Sequence, residues 1–101
     1  PPGRMATKYK LRQTAIDDLR EIVKYTLENY GKTQRDKYLD GLKERFELLG
    51  NNPNFGRQRD DVKAGYRCST YGKHIVFYTV PEGLVEIIGI LHERMVPEQN
   101  V

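Results

Sequence analysis

The residues of this sequence best suited to chemistry on a phosphate are two histidines and two arginines: His74, His92, Arg67 and Arg94. Cleaving RNA through its 2′-hydroxyl needs groups that transfer protons and cations that hold the phosphate. His92 and Arg94 lie two positions apart, so an extended strand would place both side chains on one face. A ribonuclease built on this sequence would therefore use Arg67, His92 and Arg94 as its catalytic residues.

Each of these residues also has a structural interpretation. His92 could simply hydrogen-bond at the end of a strand and His74 at the start of one, because lone histidines titrate without being catalytic. Arg67 could bind a phosphate or a carboxylate through two hydrogen bonds. It could equally form an ion pair with Asp60 or Asp61. The sequence leaves both interpretations open.

A basic segment surrounds Arg67. Between residues 51 and 75 the sequence has five Lys or Arg against two Asp, and such a surface favours an anionic partner. The residues predicted to bind a target or a partner are Arg57, Arg59, Lys63, Tyr66, Arg67, His74, His92 and Arg94. The alternative surface for the target is the tip of a helical hairpin at residues 30–33.

The C-terminal half of the chain predicts the sheet that carries these residues. Three runs rich in β-branched and aromatic residues, at 65–71, 74–80 and 84–91, predict an antiparallel meander with turns at Gly72-Lys73 and Pro81–Gly83. Residues 7–13 alternate apolar and charged side chains and predict a further strand. Tyr66, Tyr71 and Tyr78 could stack on bases, although tyrosines in strands more often pack with the hydroxyl at the rim.

Two amphipathic helices are predicted between the first strand and the meander. The first begins with Thr14 as N-cap and ends at Gly31, and Thr33 caps the second, which ends at residues 50–53. The apolar stripe of the first helix is Ala15, Leu19, Ile22, Val23, Thr26 and Tyr30. The stripe of the second helix is Tyr38, Leu39, Leu42, Phe46 and Leu49. The short connection predicts an antiparallel helical hairpin, followed by a loop whose Phe55 tucks into the edge of the core.

Composition limits the class of protein. The chain has 101 residues, 38% of them hydrophobic and 31% charged, with a net charge of +3, which is typical of one globular domain. Residues 1–4 precede Met5 and are interpreted as a scar of recombinant expression, with residues 5–101 as the single domain. No membrane span is expected. The single Cys68 is expected to be a buried strand residue, and no metal site or cofactor is expected.

Several short motifs occur in an order that resembles a known family, the ParE branch of the RelE/ParE toxins. They are Ala15…Asp18-Leu19…Ile22…Tyr25-Thr26, Tyr30-Gly31…Gln34…Tyr38, Asn52-Pro53-x-x-Gly56-Arg57, Gly65-Tyr66-Arg67, His74-x-x-Phe77-Tyr78 and Leu91-His92-x-Arg94-Met95. Together they cover residues 9–95. Val96 departs from the family, which often has Asp after the Arg-Met pair.

The resemblance implies an α+β fold of order β-α-α-β-β-β and a cytoplasmic toxin of a bacterial type II toxin–antitoxin module. It further implies that the toxin poisons DNA gyrase without being an enzyme, and that a ParD-like antitoxin neutralises it in a hetero-oligomer by wrapping a C-terminal segment around it. Neither a membrane nor direct binding of nucleic acid by the chain alone is implied. The alternatives are a ribosome-dependent messenger RNA endonuclease of the RelE type and a toxin fold of low potency that serves only as antitoxin partner.

Overall fold

The computed structural model describes residues 8–101 as an α+β fold. The predicted scar at residues 1–4 and the beginning of the predicted first strand at Thr7 lie outside the described residues. The elements are β1 (Tyr9–Leu11), α1 (Gln13–Tyr30), α2 (Lys32–Asn51), β2 (Arg57–Gln58), β3 (Arg67–Tyr71), β4 (His74–Thr79), β5 (Val85–His92) and the short helix α3 (Pro97–Asn100). Among residues 8–101, no helix is both long enough and apolar enough to span a membrane.

The fold class predicted from the sequence is confirmed, and the sheet is larger than predicted. Its strands are arranged in the order β1-β5-β4-β3-β2. The meander β3-β4-β5 is antiparallel as expected, whereas β1 is parallel to β5. The helical hairpin and the meander provide the long connection that a parallel pair requires. The sequence did not predict β2, a polar edge strand of two residues, because it is too short to show alternation.

The helical hairpin covers one face of the sheet and forms the main core with it. Buried side chains of α2 and α1 pack against those of β4 and β5; they are Leu42, Phe46, Leu49, Ala15, Ile22, Val76, Tyr78, Val85, Ile87 and Ile90. The predicted stripes are confirmed at these helical positions. Tyr30 is an exception, since it is the last residue of α1 and 66% of its surface is exposed. Val23 and Leu39 are also exceptions, because they are only partly buried and lie outside this core.

Neither predicted threonine N-cap exists. Thr14 lies inside α1, and its hydroxyl donates to the carbonyl oxygen of Ile88. Asp18, one turn later, accepts a hydrogen bond of 2.9 Å from the backbone nitrogen of Ile90. These two side chains form hydrogen bonds with backbone groups of β5 beyond the point where its pairing with β1 ends. The second helix begins directly after Gly31, and Thr33 makes no cap hydrogen bond. Gly31 has a φ of 90°, so the positive φ predicted for this glycine is confirmed.

A bulge in β5 determines which residues face the helices. Tyr78 pairs with Ile87 but Phe77 pairs with Gly89, so Ile88 is an additional residue. After the bulge, Ile90 lies in the main core on the helical side, and His92 lies opposite His74. The other face of the sheet carries a second core of Tyr66, Cys68, Phe77, Ile88 and Leu91. Cys68 is buried there as predicted.

The loop after α2 differs from the prediction for Phe55. Its ring is 55% exposed and lies against the guanidinium of Arg45 at 5.6 Å. The neighbouring backbone is held instead by the buried Tyr78, whose hydroxyl donates to the carbonyl of Pro53 and accepts from the nitrogen of Gly56, both at 2.8 Å. A Cβ on Gly56 would lie 2.6 Å from that hydroxyl. The aromatic ring that fills this corner of the core is therefore Tyr78.

Candidate functional site

A groove lined by tyrosines and histidines lies along one side of α1, and we call it the tyrosine–histidine groove. Its main part has a volume of about 400 Å³ and is lined by Tyr25, Thr26, Tyr30, Gln34, Tyr38, Lys73, His74 and His92. A continuation of about 380 Å³ shares Tyr25 and both histidines and adds Asp18, Glu21, Ile22, Ile90 and Met95. The groove is therefore formed by both helices, the turn between β3 and β4, and the ends of β4 and β5.

The two histidines form a cross-strand pair in the wall of the groove. His74 pairs with His92 in the sheet register, and their ring centroids are 5.6 Å apart with the planes at 85°. The two-residue turn Gly72-Lys73 places His74 opposite Tyr71, and the bulge at Ile88 brings His92 to the same face. Two positions that are 18 residues apart in the sequence are thus neighbours.

Tyr38 holds His74 in place. The Tyr38 hydroxyl donates to the carbonyl of Tyr71 at 3.1 Å and lies 2.7 Å from Nδ1 of His74. Because the hydroxyl gives its hydrogen to Tyr71, Nδ1–H of a neutral His74 can donate to the hydroxyl oxygen. Burial and, to a lesser degree, the neighbouring His92 lower the pKa of His74 below its usual value of 6.5. His74 is therefore neutral at neutral pH.

His92 and Arg94 are not arranged as an extended strand would place them. The strand β5 ends at His92, and the chain turns so that the nitrogen of Met95 donates to the carbonyl of His92 at 2.9 Å. The backbone nitrogen of Arg94 donates to Nδ1 of His92 at 3.2 Å. A neutral His92 consequently carries its hydrogen on Nε2. Arg94 contributes its backbone to His92, and its side chain is exposed.

Arg67 lies in a different part of the sheet. Its guanidinium donates to the carbonyl oxygens of Gly56 and Asn54 instead of forming the ion pair with Asp60 or Asp61 that the sequence suggested. Arg67 pairs with Tyr78, four positions along β4 from His74, which is roughly 13 Å. It is also two strands away from His92. The structure therefore does not bring Arg67 together with His92.

The remaining basic residues lie near β2. Arg59 binds both carboxylate oxygens of Asp61 at 2.9 and 3.0 Å and lies over the ring of Phe77; its hydrogen bonds lower the pKa of Asp61. Arg57 and Lys63 are exposed, whereas Tyr66 is buried in the second core. The predicted binding residues thus form two groups, with His74, His92 and Arg94 at one end of β4 and β5 and the other five near β2 and β3.

The tyrosine rings differ in exposure, and therefore in whether a base could stack on them. Tyr66 and Tyr78 are buried, so neither presents a ring to a base. Tyr71 is half-buried between Tyr38, at a centroid distance of 5.2 Å, and the guanidinium of Arg45 at 5.6 Å. The exposed rings are those of Tyr25 and Tyr30. Tyr30 belongs to the hairpin tip at residues 30–33 that the sequence offered as the alternative target surface, whereas Tyr25 was not selected as a binding residue. A tyrosine outside the apolar stripe of a helix was the available signal for Tyr25.

A second surface lies on the opposite side of α1, and we call it the leucine groove. It has a volume of about 460 Å³ and is lined by Leu11, Ile16, Leu19, Val23, Leu27 and Leu39 together with Arg20, Lys24 and Lys43. Ile16, Val23 and Leu27 recur at steps of seven and four residues, which marks a second apolar stripe on α1. Of the α1 residues in this groove, Leu19 and Val23 were predicted as part of the buried stripe, whereas Ile16 and Leu27 were missed.

Comparison with solved structures identifies the fold. A chain of the chromosomal ParDE toxin–antitoxin system from P. aeruginosa superposes with a TM-score of 0.74 at 20% identity, covering 85% of this chain and 95% of the other. A chain of the YoeB–YefM complex from Staphylococcus aureus superposes with a TM-score of 0.58 at 16% identity, covering 87% and 98%. The fold is thus one that occurs in toxin–antitoxin complexes, and at these identities the likeness shows the fold alone.

Sequence comparison identifies the family. Toxin ParE1 from two strains of Mycobacterium tuberculosis is 34% identical over 98 residues, covering 96% of this chain and 100% of that toxin. Toxin ParE1 from Caulobacter vibrioides is 36% identical over 87 residues, covering 86% and 90%. The family described as the ParE toxin of the type II toxin–antitoxin system parDE matches residues 9–97. The chain belongs to the ParE toxin family, which confirms the resemblance found in the sequence.

Proposed function

We propose that this ParE toxin acts in the cytoplasm by binding DNA gyrase and holding it on cleaved DNA, without catalysing a reaction itself. The observation that carries this proposal is the placement of the three residues that a ribonuclease would need. Arg67 is held by loop carbonyls, far from His92, and Arg94 lies beyond the end of β5. Proton transfer and phosphate binding require groups that converge on the same reacting atoms.

A binding mechanism needs only a surface that prefers one conformational state of the target. A ligand shifts an equilibrium by the difference between its affinities for the two states. A toxin that binds the cleaved-DNA state of gyrase more tightly than the resting state would therefore increase the amount of cleaved DNA. The exposed rings of Tyr25 and Tyr30, with the two histidines nearby, offer such a surface.

The test is a supercoiling reaction with purified gyrase, relaxed plasmid and ATP, to which this protein is added with and without its antitoxin. We expect less supercoiled product and more linear DNA linked to protein, and we expect the antitoxin to reverse both effects. Normal supercoiling at a tenfold molar excess of the protein over gyrase would contradict the proposal. Cleavage of ribosome-bound messenger RNA would then be measured, because it would support the RelE-type alternative.

We further propose that the neutralising partner is a ParD-like antitoxin whose C-terminal segment covers the leucine groove. Six apolar residues line this groove and three cations lie at its rim, which is complementary to an amphipathic segment with apolar residues on one side and Asp or Glu beside them. A segment disordered when free would order on binding. Arg57 and Lys63 near β2 are exposed and lie towards the opposite edge of the sheet from β1, where a segment that wraps around the sheet would meet them.

A further inference from the structure

We infer that the tyrosine–histidine groove is the surface with which the toxin holds its target, and that its occupant is a short protein segment with an apolar anchor between a carboxylate and an Arg or Lys. The inference rests on the proposed function, in which the target is a protein. It goes further by naming the surface and the chemistry of the segment that fits it.

The aromatic residues of the groove favour a protein occupant. Tyr25 is 60% exposed, Tyr30 is 66% exposed and Met95 is 43% exposed. The rings of Tyr25 and Tyr30 contact each other edge to face at 6.4 Å, so they form one continuous aromatic surface. Tyrosines of this kind contribute strongly to protein interfaces, because they bury a large area and lose little conformational freedom. They provide the place for the apolar anchor.

The polar side chains of the groove are hydrogen-bond donors at one end and carboxylates at the other. One end offers donors, namely the ammonium of Lys73 and the amide of Gln34. His92, which lines both parts of the groove, adds Nε2–H between the two ends. The other end is lined by Glu21 and by Asp18, whose carboxylate already accepts from Ile90. A carboxylate on the occupant matches the first end, and an Arg or Lys matches Glu21 at the second.

The length of the groove matches a segment rather than a helix or a single residue. It follows α1 from Asp18 to Tyr30, which at the helical rise is roughly 18 Å. An extended chain covers this distance with about five or six residues. The occupant is therefore a loop or strand of the target that places its anchor near Tyr25.

The groove is separate from the surface proposed for the antitoxin. At 100° per residue, Val23 and Leu27 of the leucine groove lie roughly 160–200° around the helix axis from Tyr25. Ile22 and Thr26 lie between these two sides and are buried. Substitutions in one groove can therefore be made without contact to the other, and target binding and antitoxin binding can be measured independently.

The experiment compares the double variant Tyr25→Ala/Tyr30→Ala with Phe55→Ala, which removes a similarly exposed ring outside both grooves. We expect the double variant to need at least about tenfold more protein for half-maximal inhibition of supercoiling, because hot-spot aromatics contribute at least this much. We expect its affinity for the antitoxin to stay within about twofold, and Phe55→Ala to behave like the wild type. Inhibition by the double variant at wild-type concentrations would overturn the inference.

Charge variants test the orientation of the occupant. Lys73→Glu and Glu21→Lys reverse the two ends of the groove, and each should weaken inhibition by about three- to tenfold, an effect that added salt should reduce. Thermal denaturation of every variant separates loss of binding from loss of folding. If both charge variants inhibit like the wild type while the tyrosine variant does not, the proposed segment chemistry is wrong.

A failure of the proposed function gives a different result. If the wild type does not affect gyrase, growth arrest after induction of the toxin without antitoxin replaces the supercoiling reaction. Relief of growth arrest by the tyrosine variant would support the groove as the target surface, and arrest equal to that of the wild type would overturn it. Absence of growth arrest by the wild type would overturn both proposals.

Binding of labelled single-stranded DNA by the toxin alone is a separate test. If the toxin binds this DNA and loses the binding when the two tyrosines are substituted, the groove is a nucleic-acid site and the inference is overturned.

Discussion

The two sides of α1 carry different kinds of apolar residues at the surface. On the side of the leucine groove, six aliphatic residues form a continuous apolar surface bordered by Arg20, Lys24 and Lys43. On the side of the tyrosine–histidine groove, aromatic rings alternate with hydrogen-bonding groups such as Gln34 and His92. The first surface suits a long, permanent and oppositely charged partner, and the second suits recognition of a short segment. In the proposed function, one helix serves the core and two interfaces.

The largest expected effect concerns the leucine groove. Leu27→Asp places a carboxylate in the apolar lining, and we expect the affinity for the antitoxin to fall by about 100-fold or more, because a desolvated charge without a partner is costly in an interface. Isothermal titration calorimetry with the purified antitoxin measures this change. Tyr25→Ala, on the other side of α1, is the matched control. An equal loss in both variants would mean that the two sides do not act separately.

The next prediction tests what positions both grooves. Asp18→Ala removes the acceptor for the backbone nitrogen of Ile90, and a partly buried donor left without a partner should lower the free energy of unfolding by about 1–3 kcal/mol. Chemical denaturation measures this value. Because Asp18 joins α1 to β5, we expect antitoxin binding and target inhibition to weaken together. Unchanged stability would show that the helix is positioned by core packing alone.

A smaller effect is expected at the rim of the leucine groove. Lys24→Gln removes one of its cations and should slow association of the antitoxin by about two- to threefold at low salt, with little change in the dissociation rate. Stopped-flow measurements at two salt concentrations would show this. If the dissociation rate changes instead, Lys24 forms a close ion pair within the complex.

The smallest prediction concerns the pH dependence of the histidine pair. Because the pKa of His74 is lower in the folded protein than in the unfolded chain, the unfolded chain binds a proton first as the pH falls. The contribution of neutral His74 is complete above the unfolded pKa, about 6.5, and is lost as the pH falls below it towards the folded pKa. The free energy of unfolding of His74→Asn should therefore depend less on pH in this window than that of the wild type.

The sequence predicted the parts of the fold that follow from periodicity. Leu42, Phe46 and Leu49 lie at helical spacing, and they are buried. The four strands that the sequence predicted lie within two residues of the observed ends. Runs of β-branched residues between turns leave few alternatives for the meander. The parallel pairing of β1 with β5 could not be predicted from the strand itself, since it depends on how the hairpin and the meander pack.

The candidate site was only partly predictable. His74 and His92 were selected as binding residues, but their pairing depends on the bulge, and a continuous apolar run such as β5 does not reveal where an additional residue lies. Tyr30 was placed in the apolar stripe of the first helix by its spacing, as well as in the predicted hairpin tip, and Phe55 was expected at the edge of the core; both are exposed. For Arg67 the sequence left open both the binding of a partner's phosphate or carboxylate and an ion pair with Asp60 or Asp61, and in the structure its guanidinium donates to loop carbonyls. Which acceptor an arginine binds depends on the groups that lie near it in the folded chain, and the spacing of residues in the sequence does not show this.

The additional residue in β5 makes the wall of the groove sensitive to the pairing register more than to residue identity. Ile88 has no partner on β4, because Tyr78 pairs with Ile87 and Phe77 with Gly89. If Ile88 paired with Phe77 in a regular ladder, every later residue of β5 would shift by one position, and Leu91 would lie opposite His74. Deleting Ile88 would leave a regular ladder in which His92 keeps its place. The wall of the groove would thus survive the loss of this residue, whereas a shift of register would remove it without changing a single side chain.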